Sequence, residues 1–459
     1  MSSAAIEQLR GRLRGALLLP ADNGYDQARN VYNAMIDRRP AMIARCTGAA
    51  DVAACVVAAR EHNLVVSVRG GGHNVAGNAV CDAGLMIDLT PMKGVVVDAA
   101  QRTAWVQGGV TLGEFDREAQ LFGLATTLGV VSLTGVAGLT LGGGIGWLNG
   151  LHGLACDNLV GAQVVTADGR ALAASATENE DLFWAIRGGG GNFGVVTGFQ
   201  FRLHRVDSPL AGLLLYPVAT GRDVLRAFRD LTASTPDELT VLFGLLDAPA
   251  GGTVAAIAPA YFGPEQKGRE LLKPLGSLGA PLADLVSVMP YAQLQSMFDA
   301  GYPFGFRHYW KSGLMRELPD VAIDVMLDFY SRRPTADSQV FIEHLHGATQ
   351  RVGPTATAFP HRGERYNFMV LTKWAEARDD ERCIRWTREY WQAMEPFVTG
   401  GHYVNYLGHQ ETPDRVRAAY GVNYDRLAAI KEKYDPANLF RMNQNISPQP
   451  PGTGPDATA

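Results

Sequence analysis

The sequence has no surplus of basic residues. Its 459 residues carry 41 Lys and Arg against 46 Asp and Glu, which gives a formal net charge of -5. A protein that neutralises nucleic-acid phosphates needs a basic surplus or a Lys/Arg-rich run, and neither occurs. We therefore expect no nucleic-acid partner. The hydrophobic share of 47% and charged share of 19% are typical of a folded chain with ample core.

Cysteines are few, and long apolar runs are missing. The five cysteines are odd in number and scattered, with no C-x-x-C pair, so we expect buried free thiols rather than disulfides. No stretch reaches the roughly 20 apolar residues that cross a bilayer. The apolar run at residues 16–19 is too short for a signal-peptide core. These absences predict a cytoplasmic protein without a membrane partner.

Several motifs with known chemistry are also absent. The sequence contains no P-loop, no nucleophile elbow and no H-E-x-x-H zinc helix, and we predict no metal site. Residues 189–194 match the G-x-G-x-x-G spacing of dinucleotide-binding proteins. However, a helix-like segment precedes them and a strand-like segment follows, which is the reverse of the order in a Rossmann unit. A nicotinamide dinucleotide site is therefore not expected there.

Two glycine-rich loops are the main positive feature. Residues 69–74, RGGGHN, follow a strand-like run at residues 64–68, and residues 129–146 hold a second set of glycines. Consecutive glycines let backbone N–H groups approach an anionic ligand without interfering Cβ atoms. The first loop is thus predicted to be a phosphate cradle with His73 at its exit. The alternative is a glycine-rich hairpin with an exposed histidine, but two such loops suggest one long ligand.

Both loops, together with residues 181–196, 403–406 and 434–436, resemble the berberine bridge enzyme-like flavoproteins. This family belongs to the vanillyl alcohol oxidase and p-cresol methylhydroxylase (PCMH) superfamily, and the resemblance covers nearly the whole chain. It implies an α+β fold, in which a PCMH-type FAD-binding domain joins a substrate domain built on an antiparallel sheet covered by helices. It also implies FAD, with the pyrophosphate on the first loop.

The resemblance further implies how the flavin is attached. His73 would bond covalently to the 8α-methyl group. Many relatives add a second bond from a cysteine, but Val131 occupies that position here, so a single covalent link is predicted. The cofactor-binding residues implied by the resemblance are Arg69, Gly70, Gly71, Gly72, His73, Asn74, Gly77, Gly129, Val131, Ser132, Gly135, Gly138, Gly142, Gly143, Gly146, Val196, Asn405 and Asn443.

A composition shift near residues 206–209 marks a predicted domain boundary, because the glycine loops end there and Pro, Tyr and Trp become frequent. We expect an FAD-binding domain at residues 1–205 and a substrate-binding domain at residues 206–402. By resemblance, residues 403–446 return to the first domain. Residues 447–459 are rich in Pro and Gly and are predicted to be disordered.

Residues 340–346 are predicted to form a strand, which would put His344 and His346 on one face and Glu343 on the other. In relatives the corresponding strand lies over the flavin, and some of them carry carboxylates there. An imidazole has a pKa of roughly 6.5 and can accept a proton at neutral pH. Both histidines are therefore candidates for the catalytic base and for substrate contact, although each could instead bond a neighbouring backbone group.

Residues 403–406 are interpreted as another strand, with Tyr403 and Asn405 pointing together and Tyr406 pointing the other way. By resemblance these residues border flavin and substrate, and a tyrosine often serves as the base. A tyrosine has a pKa near 10, so this role needs a nearby cation or donor. The base assignment therefore stays divided between these tyrosines and the two histidines, while Asn405 is expected to orient substrate or a flavin carbonyl.

The resemblance implies an FAD-linked oxidase acting on a small organic substrate. Hydride would leave a C–H bond next to oxygen or nitrogen, and dioxygen would reoxidise the flavin and yield hydrogen peroxide. Thr134 occupies the position that gates oxygen in relatives, and Tyr309 in the aromatic stretch at residues 302–310 is a candidate substrate contact. Two alternatives remain: a dehydrogenase or reductase of the same fold, and a flavin-binding module without catalysis.

Overall fold

A computed structural model describes residues 1–248, 251–408 and 411–448. Its N-terminal part contains a four-stranded sheet with parallel pairing at its centre. In spatial order its strands are Ala16–Leu18, Met42–Arg45, Leu85–Asp88 and Val66–Arg69. Only the first pair is antiparallel. The last strand leads directly into the first glycine loop.

A five-stranded antiparallel sheet follows in the chain. In spatial order its strands are Val95–Asp98, Thr103–Gln107, Val195–Arg202, Leu159–Val165 and Ala171–Ser175. A two-stranded pair, Leu124–Ala125 with His204–Arg205, lies beside it. Apolar patterns in the sequence predict strands at residues 86–89, 94–98, 103–107 and 161–166. The structure confirms all four, with ends that differ by up to two residues.

The third sheet has nine strands, paired antiparallel, and forms the second half of the molecule. Its main path is Ala283–Asp284, Leu214–Pro217, Thr253–Tyr261, Leu239–Asp247, Gln339–His344, Tyr366–Trp374 and Arg307–Met315. Two short strands, Leu210–Ala211 and Ser287–Val288, pair at one side.

Fifteen α-helices occur in the described part of the chain. They are Ser3–Arg12, Tyr25–Arg29, Ala49–Glu61, Leu112–Gln120, Val136–Leu141, Asn149–His152, Glu180–Ala185, Gly221–Thr232, Glu265–Leu272, Tyr291–Gln295, Asp320–Ser331, Ala348–Arg351, Asp380–Met394, Pro413–Tyr420 and Tyr424–Tyr434. Local sequence explains some of their ends: Thr111 and Glu114 form a capping box that starts Leu112–Gln120, satisfying N–H groups that the helix leaves without partners.

The large sheet is buried on both faces. On one face, Val340 and Ile342 pack with residues of the helices Gly221–Thr232, Asp320–Ser331 and Asp380–Met394. On the other face, side chains at alternate positions, such as Phe341, Met369 and Leu371, pack in one cluster with Trp147 of the glycine-rich half of the molecule. This two-sided burial places the functional cavity between the sheet and the glycine loops.

The C-terminal segment packs in the same core as the five-stranded sheet. Val404, Tyr420, Leu427 and Ile446 belong to a hydrophobic cluster with residues such as Phe199. The apolar spacing of residues 425–434 predicts a helix, and the structure confirms it as Tyr424–Tyr434. The strand expected at residues 403–406 is wrong, because Val404–Tyr406 is a 3-10 turn.

The α+β fold class is confirmed by this architecture. The domain boundaries stay a prediction, and the predicted disordered tail lies outside the described residues from 449 onward. All five cysteines are buried and unbonded, as expected. Across the described ranges, no helix combines the length and apolarity needed to cross a membrane. In the same ranges, no group of three His, Cys, Asp or Glu is arranged to hold a metal.

Candidate active site

A long cavity lies between the two glycine loops and one face of the large sheet. The proposed cofactor residues that line it are Gly70, Gly71, Gly72, His73, Asn74, Gly129, Val131, Gly135, Gly138, Val196, Asn405 and Asn443. The cavity is therefore bounded by many of the residues that the resemblance assigns to the cofactor.

The two glycine loops touch each other at the wall of the cavity. A Cβ atom on Gly71 would lie 2.4 Å from the backbone nitrogen of Gly135, and a Cβ on Gly135 would lie 2.3 Å from that of Gly71. Gly72 has a φ of +69°, in the left-handed region that favours glycine. Glycine at these positions is thus required by backbone contact and by backbone conformation.

His73 is half-buried at the exit of the first loop. Its Nε2 atom has no hydrogen-bond partner among the described residues. Burial lowers the pKa of His73 to about 4, because desolvation disfavours the imidazolium ion. At neutral pH its ring is therefore uncharged, and a neutral ring nitrogen keeps the lone pair that a covalent bond requires.

Tyr403 and Asn405 hold the second glycine loop. The hydroxyl of Tyr403 accepts hydrogen bonds from the Gly144 N–H at 2.9 Å and from Asn405 Nδ2 at 2.8 Å. Asn405 Nδ2 also donates to the Leu139 carbonyl at 3.0 Å. The two side chains meet as expected, although a 3-10 turn and not a strand brings them together.

Glu343 is the carboxylic acid of this cavity, and it has no exposed surface. Its Oε1 accepts a hydrogen bond from the Tyr406 hydroxyl at 2.9 Å, and its Oε2 accepts one from Asn367 Nδ2 at 2.7 Å. Burial raises the pKa of Glu343 to about 7, against the lowering effect of these two donors. A group with this pKa exchanges protons readily near neutral pH.

The two tyrosines near Glu343 are poor bases. Burial raises the pKa of Tyr403 and Tyr406 above the usual range, and the Glu343 carboxylate raises both further. None of the groups that shift these two pKa values is a cation that would stabilise a phenolate. The charged group that acts on both tyrosines is the Glu343 carboxylate. Tyr406 is therefore a hydrogen-bond donor to Glu343, and it lies on the cavity side rather than pointing away.

His344 and His346 do not line the cavity, which corrects the expectation that they lie over the flavin. The alternation of the strand is as predicted, but Glu343 is on the cavity face and His344 is on the face covered by helices. The two imidazole rings stack at 4.3 Å, and His346 Nε2 lies 3.5 Å from the Thr240 hydroxyl. Burial lowers both pKa values, that of His346 to about 4.

The alternation of the strand Gln339–His344 does not by itself indicate which of its faces meets the cavity. A strand that is buried on both sides has apolar residues on both faces, so its period cannot tell which face meets the cofactor. Glu343 itself was missed as a candidate base. A single carboxylate within an apolar strand was the available indication, because a buried charge needs partners or a shifted pKa.

The remaining predicted residues lie outside the cavity lining and serve packing or support. Arg69 donates a hydrogen bond to the Ala28 carbonyl, and Ser132 donates two to Asp299. A Cβ atom would meet protein atoms within 3 Å at Gly77, Gly142, Gly143 and Gly146. Tyr309 lines a separate cavity instead and accepts a hydrogen bond from Arg388.

The part of the cavity along the sheet is predominantly apolar and aromatic. It is lined by Phe298, Tyr302, Trp310, Phe341, Met369 and Leu371, and Thr134 lines the cavity on the side of the second loop. The indole N–H of Trp310 is buried without a hydrogen-bond acceptor in the described part of the chain. Other lining residues that were not predicted include Asn78, Gly190, Gly191, Tyr420 and Gln444.

The residues present fit a flavin dinucleotide. The cavity is long, one wall is backbone of two apposed glycine loops, and an orphaned, neutral imidazole stands at the exit of the first loop. Glycine-lined backbone suits a pyrophosphate, and a neutral imidazole suits a covalent anchor. Fold and cavity together define a PCMH-type FAD-binding flavoprotein.

Comparisons with known proteins specify the family. The model of the FAD-binding domain matches residues 40–175, and the "Berberine and berberine like" model matches residues 402–447. An FAD-linked oxidoreductase of Dictyostelium discoideum is 32% identical over 441 residues, covering 95% of both chains. The (R)-6-hydroxynicotine oxidase of Paenarthrobacter nicotinovorans is 32% identical, covering 95% of this chain and 97% of the relative. This chain belongs to the berberine bridge enzyme-like FAD-linked oxidoreductases.

Solved structures agree with that assignment. The crystal structure of 6-hydroxy-D-nicotine oxidase from Arthrobacter nicotinovorans superposes with a TM-score of 0.87 at 29% identity, covering 95% of this chain and 98% of that one. A chitooligosaccharide oxidase gives a TM-score of 0.88 at 26% identity, covering 97% and 100%. The protein is therefore an FAD-dependent oxidoreductase, and FAD is its cofactor.

Proposed function

We propose that this flavoenzyme oxidises a C–H bond next to oxygen or nitrogen in a small, largely apolar substrate, with Glu343 as the base. The observation that carries the proposal is the buried Glu343 carboxyl group, which lies in the same cavity as the glycine loops and His73. Bound FAD would supply hydride acceptance, a two-electron step that side chains cannot perform.

Glu343 takes the proton from the substrate heteroatom. Its pKa of about 7 leaves a large deprotonated fraction at neutral pH while keeping the carboxylate basic. Tyr406 and Asn367 each donate to one oxygen of Glu343, so they fix the plane of the carboxyl group. We place the base there rather than on a histidine or tyrosine, because the histidines face the helices and the tyrosine pKa values are raised.

The apolar wall favours a ring-shaped substrate over a sugar. Phe298, Phe341, Met369 and Leu371 offer no hydrogen-bonding groups, whereas a sugar needs many polar partners. The Trp310 indole N–H has no acceptor among the described residues, which supports a substrate that offers one hydrogen-bond acceptor to it. Asn405 is held by Tyr403 and the second loop, so it remains a candidate for orienting the cofactor.

We further propose a single covalent link from His73 to the flavin. Its half-buried, uncharged ring supports this role, and Val131, a residue with no nucleophile, lines the cavity where many relatives carry a cysteine. Purified protein precipitated with acid should retain flavin fluorescence in the pellet, and His73→Ala should release it. Flavin that stays with the chain in His73→Ala would contradict the assignment.

Dioxygen is proposed as the electron acceptor, with hydrogen peroxide as product. Thr134, the residue at the oxygen-gating position, lines the cavity and is smaller than a blocking leucine. The test is to reduce the enzyme anaerobically, mix it with air-saturated buffer in a stopped-flow instrument and follow flavin absorbance. Fast reoxidation with peroxide release is expected; slow reoxidation would make the protein a dehydrogenase. Bleaching by NADPH would support a reductase, and no reduction by any donor would support a binding module.

A cytoplasmic location is proposed from the five buried free cysteines, since unpaired thiols persist in a reducing compartment. Thiol titration of the denatured protein, purified without reductant, should find all five thiols free. Recovery of the protein from a periplasmic or extracellular fraction would contradict this location.

A further inference from the structure

Three aromatic rings form a stack that ends on His73. The His73 ring lies 4.0 Å from the Tyr32 ring at an interplanar angle of 15°, and the Tyr32 ring lies 4.4 Å from the His308 ring at 20°. Tyr32 is 0% exposed and His308 is 2% exposed. The Tyr32 hydroxyl and both His308 ring nitrogens have no hydrogen-bond partner among the described residues. Ring packing therefore orients the Tyr32 and His308 side chains, whose polar atoms make no hydrogen bond within the described part of the chain.

The backbone around the stack is fixed by hydrogen bonds. The Tyr32 N–H donates to the Gly72 carbonyl at 2.9 Å. The side chain of Asn33 donates to the carbonyls of Val75 and His308 at 2.8 and 3.0 Å, and it accepts from the His308 N–H at 2.9 Å. Asn33 thus joins the loop that carries His73 to the strand Arg307–Met315.

The stack consequently crosses the boundary between the two halves of the molecule. His73 belongs to the first glycine loop, whereas His308 belongs to the large sheet, and Tyr32 is inserted between them. Phe304 packs edge-on against both Tyr32 and His73, with ring centroids at 5.6 and 6.1 Å. The His73 ring is therefore packed, through Tyr32, against a residue of the large sheet.

We propose that Tyr32 and His308 are positioning residues for covalent attachment of the flavin: their stacked rings hold His73 in the plane from which a ring nitrogen forms the bond. This inference rests on the proposed His73 link. It goes beyond that link because it makes attachment depend on residues that do not line the cofactor cavity and on docking of the large sheet.

The chemistry explains why orientation matters. Attachment forms one bond between a His73 ring nitrogen and the 8α carbon, and it removes one hydrogen from each partner. The two electrons and two protons pass to dioxygen, which becomes hydrogen peroxide. The nitrogen must present its lone pair to the carbon, and misplacement by about 1 Å can slow a positioned reaction roughly 10²-fold. Because the Nε2 atom of His73 has no hydrogen-bond partner among the described residues, the neighbouring rings of the stack contribute to that orientation.

The test compares Tyr32→Leu with Tyr32→Phe as the matched control. Each full-length variant is incubated with excess FAD, and the fraction of bound flavin that stays with the acid-precipitated chain is followed over time. Tyr32→Leu removes the stacked ring and should slow attachment at least about 10-fold. Tyr32→Phe removes only the unpartnered hydroxyl and should attach flavin within about twofold of the wild-type rate.

The His73→Ala background, in which no covalent bond can form, distinguishes a positioning role of Tyr32 from a general structural role. There, Tyr32→Leu should leave the FAD dissociation constant within about twofold. An equal loss of FAD binding in that background would overturn the positioning role, as would a wild-type attachment rate in Tyr32→Leu. Wild-type protein that carries no covalent flavin would instead refute the proposed His73 link itself.

If Tyr32→Leu does not fold, the pair His308→Ala and His308→Phe gives the same test from the other end of the stack. His308→Ala removes the outer ring and should slow attachment, while His308→Phe keeps a ring and should not. Equal attachment rates in these two variants would also overturn the inference.

Discussion

Glu343 combines three properties that are rarely found together: complete burial, two hydrogen-bond donors and an apolar cavity wall. Burial raises the pKa of Glu343 because it disfavours the charged carboxylate, and the hydrogen bonds from Asn367 and Tyr406 lower it in part. The resulting pKa is about 7. An ordinary surface glutamate is a weaker base by more than two pKa units. This shift is what makes a carboxylate able to accept a proton from a substrate heteroatom at neutral pH.

Replacing Glu343 by Gln should lower the rate of flavin reduction by about 10²- to 10⁴-fold, the usual contribution of a positioned base. The Gln side chain keeps the size and accepts a hydrogen bond but takes up no proton. Anaerobic stopped-flow reduction with a saturating substrate measures the rate. Asp116→Asn is the matched control, because Asp116 is also a buried carboxyl with a raised pKa but lies outside the cavity; its rate should be unchanged.

The pH dependence of flavin reduction follows from the same pKa. Glu343 must be deprotonated to act as the base, so the reduction rate should rise with pH through about 7 and then level off. Glu343→Gln should show a flat profile over this range. A wild-type profile without an inflection between about pH 6 and pH 8 would assign the base to another group.

At the scale of single elements, the helix Tyr424–Tyr434 is tied to the glycine-rich segment by one buried cation. Lys431 Nζ donates to Asp435 Oδ2 at 2.6 Å, to the Asn192 carbonyl at 2.8 Å and to the Phe440 carbonyl at 3.1 Å. Both side chains of the ion pair are 0% exposed. A fully buried ion pair is tolerated when every donor has an acceptor, but removing either charge leaves the other buried and uncompensated.

Lys431→Met should lower the free energy of unfolding by about 3 to 5 kcal/mol, because it leaves the Asp435 carboxylate buried without its cation. The matched control is Lys433→Met, two residues along the same helix. Lys433 pairs with Asp181, and its side chain is 59% exposed, so its removal should cost about 0 to 1 kcal/mol. Denaturant unfolding of both variants measures the difference, and equal losses would contradict the role assigned to burial.

At the scale of the whole molecule, buried histidines should make the fold sensitive to acid. Burial lowers the pKa of seven histidines besides His73, namely His152, His204, His308, His344, His346, His361 and His402. Below about pH 6.5 the unfolded chain takes up protons that the folded protein does not. The contribution of these histidines to the free energy of unfolding is thus fully present above about pH 6.5, and it falls as the pH drops toward about 4. Glu343 and Asp116, with raised pKa values, oppose this trend but are only two groups.

His344→Gln provides the corresponding test. Its Nδ1 atom has no partner in the described part of the chain, so the substitution removes a titrating group without removing a hydrogen bond from that atom. The drop in melting temperature from about pH 7.5 to about pH 5 should be smaller than in the wild type, because the unfolded variant binds one proton fewer than the unfolded wild type. A drop of the same size would exclude His344 as a source of acid sensitivity.

Particular residues show how far sequence reasoning reaches. The glycine loops, His73 and the absent cysteine at Val131 were recognisable from the sequence because they depend on residue type at short spacing. The faces of the strand Gln339–His344 were not, because a strand between two apolar layers has no polar side to orient it. The 3-10 turn at Val404–Tyr406 was missed because four residues hold too little periodicity to separate a turn from a strand.

The sequence by itself determined the family and the cofactor, since the resemblance rests on glycine loops, a histidine and short segments that are local in the chain. Only the tertiary structure decided which side chain is poised to act as base. Glu343 becomes a base through burial and through donors on residues 367 and 406, which are distant in sequence and adjacent only in the folded sheet. Desolvation depends on what surrounds a group in space, so the sequence alone does not fix the pKa.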